Sequence, residues 1–252
     1  MGQAVKRRRR ALAWVAAVML GTVGLSPLAP SSSANDGVLG GLLGDECGAR
    51  VAKQGGGTWS CTFVDQFSGR TLDPDKWVVQ DTARTGFHVS GTCMEPDNVD
   101  QRGGRLELTV HKQAPFLCES PSGGFRTQYS GADISTWASF AQAYGRFEAR
   151  IKFPGGRGFF EDTGWNCEVE RRDQFHTYAL EWTPKQMRFI YDGQVCYTRS
   201  WSPEAPLRAP APFDQPFFIS LTQGTGPNAF NAPEPGAEFP ATMTVDYVKA
   251  WS

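Results

Sequence analysis

What this sequence lacks narrows it first. It has three histidines, His88, His111 and His176, each standing apart from the others, and none of its six cysteines falls in a C-x-x-C pair. Zinc sites draw their ligands from close spacings of that kind, so no zinc is expected. No basic surplus is present either, with 25 basic residues against 26 acidic ones. Proteins that grip nucleic acid need such a surplus to displace counterions, which argues against that partner. Sustained helical periodicity is missing throughout. The longest apolar run, from Ala11 to Leu25, stops short of the roughly 20 residues a helix needs to cross a bilayer.

That run has another use. Lys6 and Arg7 to Arg10 precede it, and small residues with proline follow it as far as Ser32-Ser33-Ala34. This is the layout of a secretory signal, with cleavage expected near Ala34. A basic leader of this kind fits twin-arginine export as well as the general route. Cleavage would leave 20 basic residues against the same 26 acidic ones, a mildly acidic protein of residues 35–252. That length suits one domain with a real core. Residues 35–57, rich in Gly, Leu and Ser, read as a flexible lead-in, and 58–252 as the folded domain. A secreted monomer, free of the membrane after signal cleavage, is the expectation.

All six cysteines follow the signal: Cys47, Cys61, Cys93, Cys118, Cys167 and Cys196. An even count in an exported chain favours disulfides. Sequence cannot choose among the fifteen pairings that six cysteines allow, but local loop closure favours 47–61, 93–118 and 167–196.

Alternation of period two recurs along the domain. Leu106, Leu108 and Val110 form one run, and Phe147, Ala149, Ile151 and Phe153 another. Tyr178-Leu180-Trp182 and Met187-Phe189-Tyr191 follow, and then Asp192-Gly193 leads into Val195 and Tyr197. Asp-Gly between alternating runs signals a hairpin. Two further runs lie around Phe217-Ile219-Leu221 and Met243-Val245-Tyr247. Short half-buried strands with 28 glycines and 17 prolines predict an all-β, antiparallel β-sandwich of jelly-roll type.

Several stretches then match one family in order. Phe63-Val64-Asp65-Gln66-Phe67 precedes Leu72-Asp73-Pro74-Asp75-Lys76-Trp77, and Asn98-Val99 precedes Gly104-Arg105-Leu106-Glu107-Leu108. Tyr129-Ser130-Gly131-Ala132-Asp133-Ile134-Ser135 comes next, and Tyr144-Gly145-Arg146-Phe147-Glu148-Ala149-Arg150-Ile151-Lys152 matches best. Phe175-His176-Thr177-Tyr178 through Thr183-Pro184, Tyr191-Asp192-Gly193-Gln194, Pro212 to Phe217 and Val245-Asp246-Tyr247-Val248 complete the series. Together they resemble glycoside hydrolase family 16 of the laminarinase type. The resemblance implies a jelly roll acting on β-1,3 or mixed-linkage glucans.

It also implies a catalytic Glu-x-Asp-x-x-Glu on a cleft strand, because a retaining glycosidase needs a nucleophile and a separate acid and base. In the family that motif lies between the Tyr-Gly-Arg-Phe and Phe-His-Thr-Tyr strands. Here the interval, Phe153 to Gln174, contains no such motif. The expectation is a sandwich missing central cleft strands. One remnant keeps the carboxylate spacing: Glu168 as nucleophile, Glu170 as orienting group and Asp173 as acid and base. Interleaved with Arg171 and Arg172, these acids read more simply as a solvated charge run. Glu161-Asp162 reads as turn chemistry.

Three functions compete: an inactive or crippled hydrolase, a β-glucan-binding module, and an active hydrolase using Glu168 and Asp173. Aromatic stacking and hydrogen bonding would place Asn98, Tyr129, Trp137, Phe159, Trp165 and Gln223 on sugar. No cofactor is implied. The family's calcium site would use Asp246, but Gln66 stands where a Glu ligand would be, which weakens a hard-cation site, so no metal is expected.

Overall fold

The computed structural model describes residues 45–154, 173–225, 232–233 and 235–252. Among them are thirteen strands. They are β1 (Cys61–Asp65), β2 (Val78–Val79), β3 (His88–Val89), β4 (Thr92–Met94), β5 (Val99–Arg102), β6 (Arg105–Cys118) and β7 (Phe125–Ser135). Then come β8 (Gly145–Lys152), β9 (His176–Trp182), β10 (Met187–Tyr191), β11 (Gln194–Arg199), β12 (Ser220–Gln223) and β13 (Ala241–Trp251). One four-residue helix, α1 (Thr82–Thr85), starts on the Asp81 side chain, which accepts from Ala83 N, and stops at left-handed Gly86.

The strands make two layers joined by one long hairpin. The larger layer runs β11-β10-β9-β8-β13-β6, with β5 beside β6 and β1 beside β13. The far half of β6 leaves it to pair with β7, His111 opposite Ser130 and Cys118 opposite Phe125. β7 then carries the smaller layer, flanked by β2 and β12 at Ile134–Ser135 and by β4, running parallel, at Ser130–Gly131. Here the expected strand over Phe217-Ile219-Leu221 is shortened. Phe217 makes only an isolated bridge to Gln142, and regular pairing starts at Ser220.

The core lies between the layers. Leu106, Leu108 and Val110 on β6 are fully buried, opposite Val245, Met243 and Ala241 on β13. Ala132, Ile134 and Leu221 from the smaller layer join the same cluster. Each aliphatic side chain buried there contributes about 1.5–3 kcal/mol. One end is closed by Phe63, Phe67 and Trp77, and a single buried carboxylate organises them. Asp65 accepts from Phe67 N at 2.8 Å and from Trp77 Nε1 at 2.8 Å. Asp65 thus ties the end of β1 to Trp77, twelve residues further along the chain.

The Tyr-Gly-Arg-Phe stretch has an equally local cause. Gly145 has φ 118°, and a Cβ there would strike the Trp251 carbonyl, so the crossing of β8 with the end of β13 requires glycine. Phe147, Ala149 and Ile151 face inward. Arg146, Glu148 and Arg150 face outward into ion pairs. Arg146 bonds Glu181 at 2.9 Å and Glu148 at 2.6 Å, and Arg188 bonds the other oxygen of Glu181 at 2.6 Å. Tyr247 donates to Glu148 at 2.8 Å. In the next stretch, His176 Nδ1 lies 2.7 Å from Asp192, whose carboxylate also accepts from Thr177 N at 2.8 Å. Burial works against the Asp192 anion, but the bonds from His176 and Thr177 outweigh it and hold its pKa below the usual carboxylate range. Asp192 and Gly193, both at positive φ, form the hairpin turn expected from the sequence.

Cys47–Cys61 and Cys93–Cys118 are bonded as loop closure suggested. Cys196 is also disulfide-bonded; Cys167, its expected partner, lies outside the described residues. Residues 45–57 differ from the flexible lead-in expected for them. Cys47 is buried and tied to β1, and Ala52 bridges Thr58, so this stretch packs on the larger layer.

Candidate functional site

Side chains on β7 alternate between two faces. Ala132 and Ile134 enter the core, so Asp133 and Ser135 lie on the opposite face, which points away from the larger layer. The register sets Thr222 opposite Asp133 and Ser220 opposite Ser135. Both β12 hydroxyls donate to the same Asp133 oxygen, Ser220 at 2.8 Å and Thr222 at a shorter distance. Asp133 is 1% exposed. Burial pushes its pKa up to about 6, with the two hydroxyl bonds opposing part of that rise. Ser135 is buried beside it, and its Oγ has no hydrogen-bond partner among the described residues. A carboxylate placed mid-strand was legible as a letter in the sequence. Its hydroxyl partners were not, because they depend on the β7–β12 register.

Just beyond β7 the chain turns outward. Thr136 is buried, while Trp137 is 41% exposed and meets Phe218 edge to face at 5.2 Å. A large aromatic left open to solvent in this way can stack on a sugar ring. Tyr129, half-buried, lies against Phe239 at 5.7 Å. Asn98 and Gln223 are buried, Asn98 Nδ2 donating to Gly131 O at 3.0 Å and Gln223 Nε2 to Ala241 O at 3.4 Å. Gly131 sits where a Cβ would meet Gln223 O at 2.5 Å, so β7 and β12 approach closely here. Phe159, Trp165, Glu168 and Glu170 lie outside the described residues, as do Glu161 and Asp162. Asp173 is described and sits exposed in the turn before β9.

The metal candidates resolve on charge. Asp246 contacts Arg150 at 2.6 Å and Arg105 at 3.7 Å. Two guanidiniums thus stand where a calcium ion would have to enter, so this carboxylate is already neutralised and does not fit the ion. Asp45, Cys47 and Cys61 cluster closely enough to suggest a metal. Their sulfurs are joined in a disulfide, and Asp45 accepts from Cys47 N and Cys61 N, both at 2.9 Å.

With this geometry established, known proteins supply the context. The model of Glycosyl hydrolases family 16 matches residues 162–249. A glucan endo-1,3-beta-glucosidase of Cryptopygus antarcticus is 34% identical over 259 residues, covering 78% of this chain and 93% of that protein. A beta-glucanase of Rhodothermus marinus is 26% identical over 266 residues, covering 77% and 85%. Among solved structures, the endo-beta-1,3-glucanase from Pyrococcus furiosus has a TM-score of 0.62 at 18% identity, covering 81% of this chain and 97% of that one. Its likeness concerns the jelly-roll fold alone. Taken with the ordered motifs, these matches show that the chain belongs to glycosyl hydrolase family 16.

Proposed function

We propose that this chain is an exported family 16 protein that recognises β-glucan through the β7–β12 face and does not cleave it with the family's carboxylate pair. One observation carries the reading. β8 and β9 pair directly from Gly145–Trp182 to Ile151–His176, and the sequence connecting them contains no Glu-x-Asp-x-x-Glu. Retaining hydrolysis needs two carboxylates set about 5–5.5 Å apart across the scissile bond. Asp133 is one carboxylate and cannot fill both roles.

The alignments lend support. The match to the Cryptopygus antarcticus protein runs over 259 residues yet covers 78% of this chain's 252, roughly 197, so roughly 60 aligned positions lack a counterpart here. Export is supported by the leader and by Cys47–Cys61 and Cys93–Cys118.

The test is reducing-sugar release from laminarin and lichenan by the folded mature protein, followed by retention on immobilised laminarin. No release with clear retention is expected. Release that disappears in Glu168→Gln would overturn the reading and make the remnant a working site.

A further inference from the structure

The carboxylate of Asp246, where the family resemblance implies a calcium ion, owes its position to a bulge in β13. Val245 lies opposite Ile151 of β8 and Tyr247 opposite Arg150, so Asp246 is the extra residue between them. A bulge of this kind re-aims side chains. Val245 and Val248 belong to the core, and the two residues between them both serve the outer face. Asp246 meets Arg150, and Tyr247 donates to Glu148.

Both oxygens of Asp246 are engaged. Arg150 Nη1 donates to Oδ2 at 2.6 Å, and Arg105 Nε lies 3.7 Å from Oδ1. One guanidinium comes from β8 and the other from β6, and β13 runs between those two strands. Phe175 joins the cluster, its ring centre 4.8 Å from Arg105 Cζ and 4.7 Å from Arg150 Cζ. The electron-rich face of an aromatic ring attracts such cations.

A structural calcium ion neutralises carboxylates and ties the elements that supply its oxygen ligands. Asp246 receives both services from the chain itself. A metal ion would have to approach two positive charges already in place, and Gln66 brings no second negative charge to receive it.

We propose that the Arg105 and Arg150 guanidiniums replace the family's structural cation on this face, joining β6, β13 and β8 through Asp246, so that the fold is independent of calcium. The tie belongs to the larger layer and does not depend on glucan recognition by the β7–β12 face.

Thermal melts of the mature protein test this. In calcium chloride, in EDTA and in sodium chloride at matched ionic strength, Tm should agree within about 1 °C, because an ion without a site on the folded chain gives no stabilisation. Arg150→Gln should lower Tm by about 2–4 °C, and Arg150→Lys, which keeps the charge, by less. Asp246→Asn should lower Tm comparably in the native chain, but by about 1 °C or less once Arg105 and Arg150 are both replaced by glutamine, since its partners are then gone. A rise in Tm specific to calcium, or a fall in EDTA, would overturn the proposal. So would an undiminished Asp246→Asn loss in the doubly substituted chain.

Discussion

The two layers solve the problem of polar groups in opposite ways. On the larger layer, charged side chains are plentiful and paired in a ladder: Glu148, Arg146, Glu181 and Arg188 neutralise one another across β8, β9 and β10. On the smaller layer a single carboxylate, Asp133, is buried with only two neutral hydroxyls for company. The first arrangement holds its charges at ordinary cost, and the second makes its charge conditional on pH. Family signatures can be dense in one layer while the layer proposed to meet glucan is altered.

The largest effect that would test this contrast is on the ladder. Glu181→Ala leaves Arg146 and Arg188 without their shared partner and should cost about 3–5 kcal/mol in urea melts. A loss below about 1 kcal/mol would mean that the ladder is ornamental.

Asp133→Asn should act in the opposite sense. The folded pKa of Asp133 is raised above its unfolded value, so its contribution to stability is fully present below about pH 4 and is lost as pH rises through about 6. Removing the charge should therefore stabilise the protein by up to about 3 kcal/mol near pH 8 and change little near pH 4. Melts that differ equally at both pH values would break the contrast between the layers.

Trp137→Ala should weaken laminarin retention about tenfold while leaving Tm nearly unchanged, because the ring is open to solvent. Unaltered retention would move the glucan face elsewhere. Smallest of all, Ser135→Ala removes a hydroxyl that bonds nothing among the described residues, and Tm should hold or rise by an amount worth at most about 0.5 kcal/mol. A loss above about 1 kcal/mol would reveal a partner for that hydroxyl.

Much of the fold was legible because alternation is a local property. Leu106-Leu108-Val110 and Met243-Val245 announced their inward faces, and Asp192-Gly193 announced its turn. Two of the three expected disulfides follow from short loops. The site was less legible because it depends on register and on neighbours distant in the chain. Nothing near Asp246 in the sequence tells that Arg150 and Arg105 will flank it. Nothing near Asp133 tells that Ser220 and Thr222 will face it. Asn98 and Gln223 stood out as sugar-binding types, and nothing near either in the sequence tells that one of its amide N–H groups will meet the carbonyl of Gly131 or Ala241. His176 and Arg146 stood within strong motifs whose outward residues hold β-strands together.

The direct pairing of β8 with β9 has a consequence for how such a protein can change. Two strands that are neighbours in a sheet fix the ends of whatever chain joins them, at a separation that does not depend on its length. Lengthening or shortening that connection alters the closure entropy only logarithmically, by about 0.6 kcal/mol for each doubling. A scaffold built this way can gain or lose chain between those two strands at little cost in closure entropy, so inheritance of the fold and inheritance of the reaction can part company.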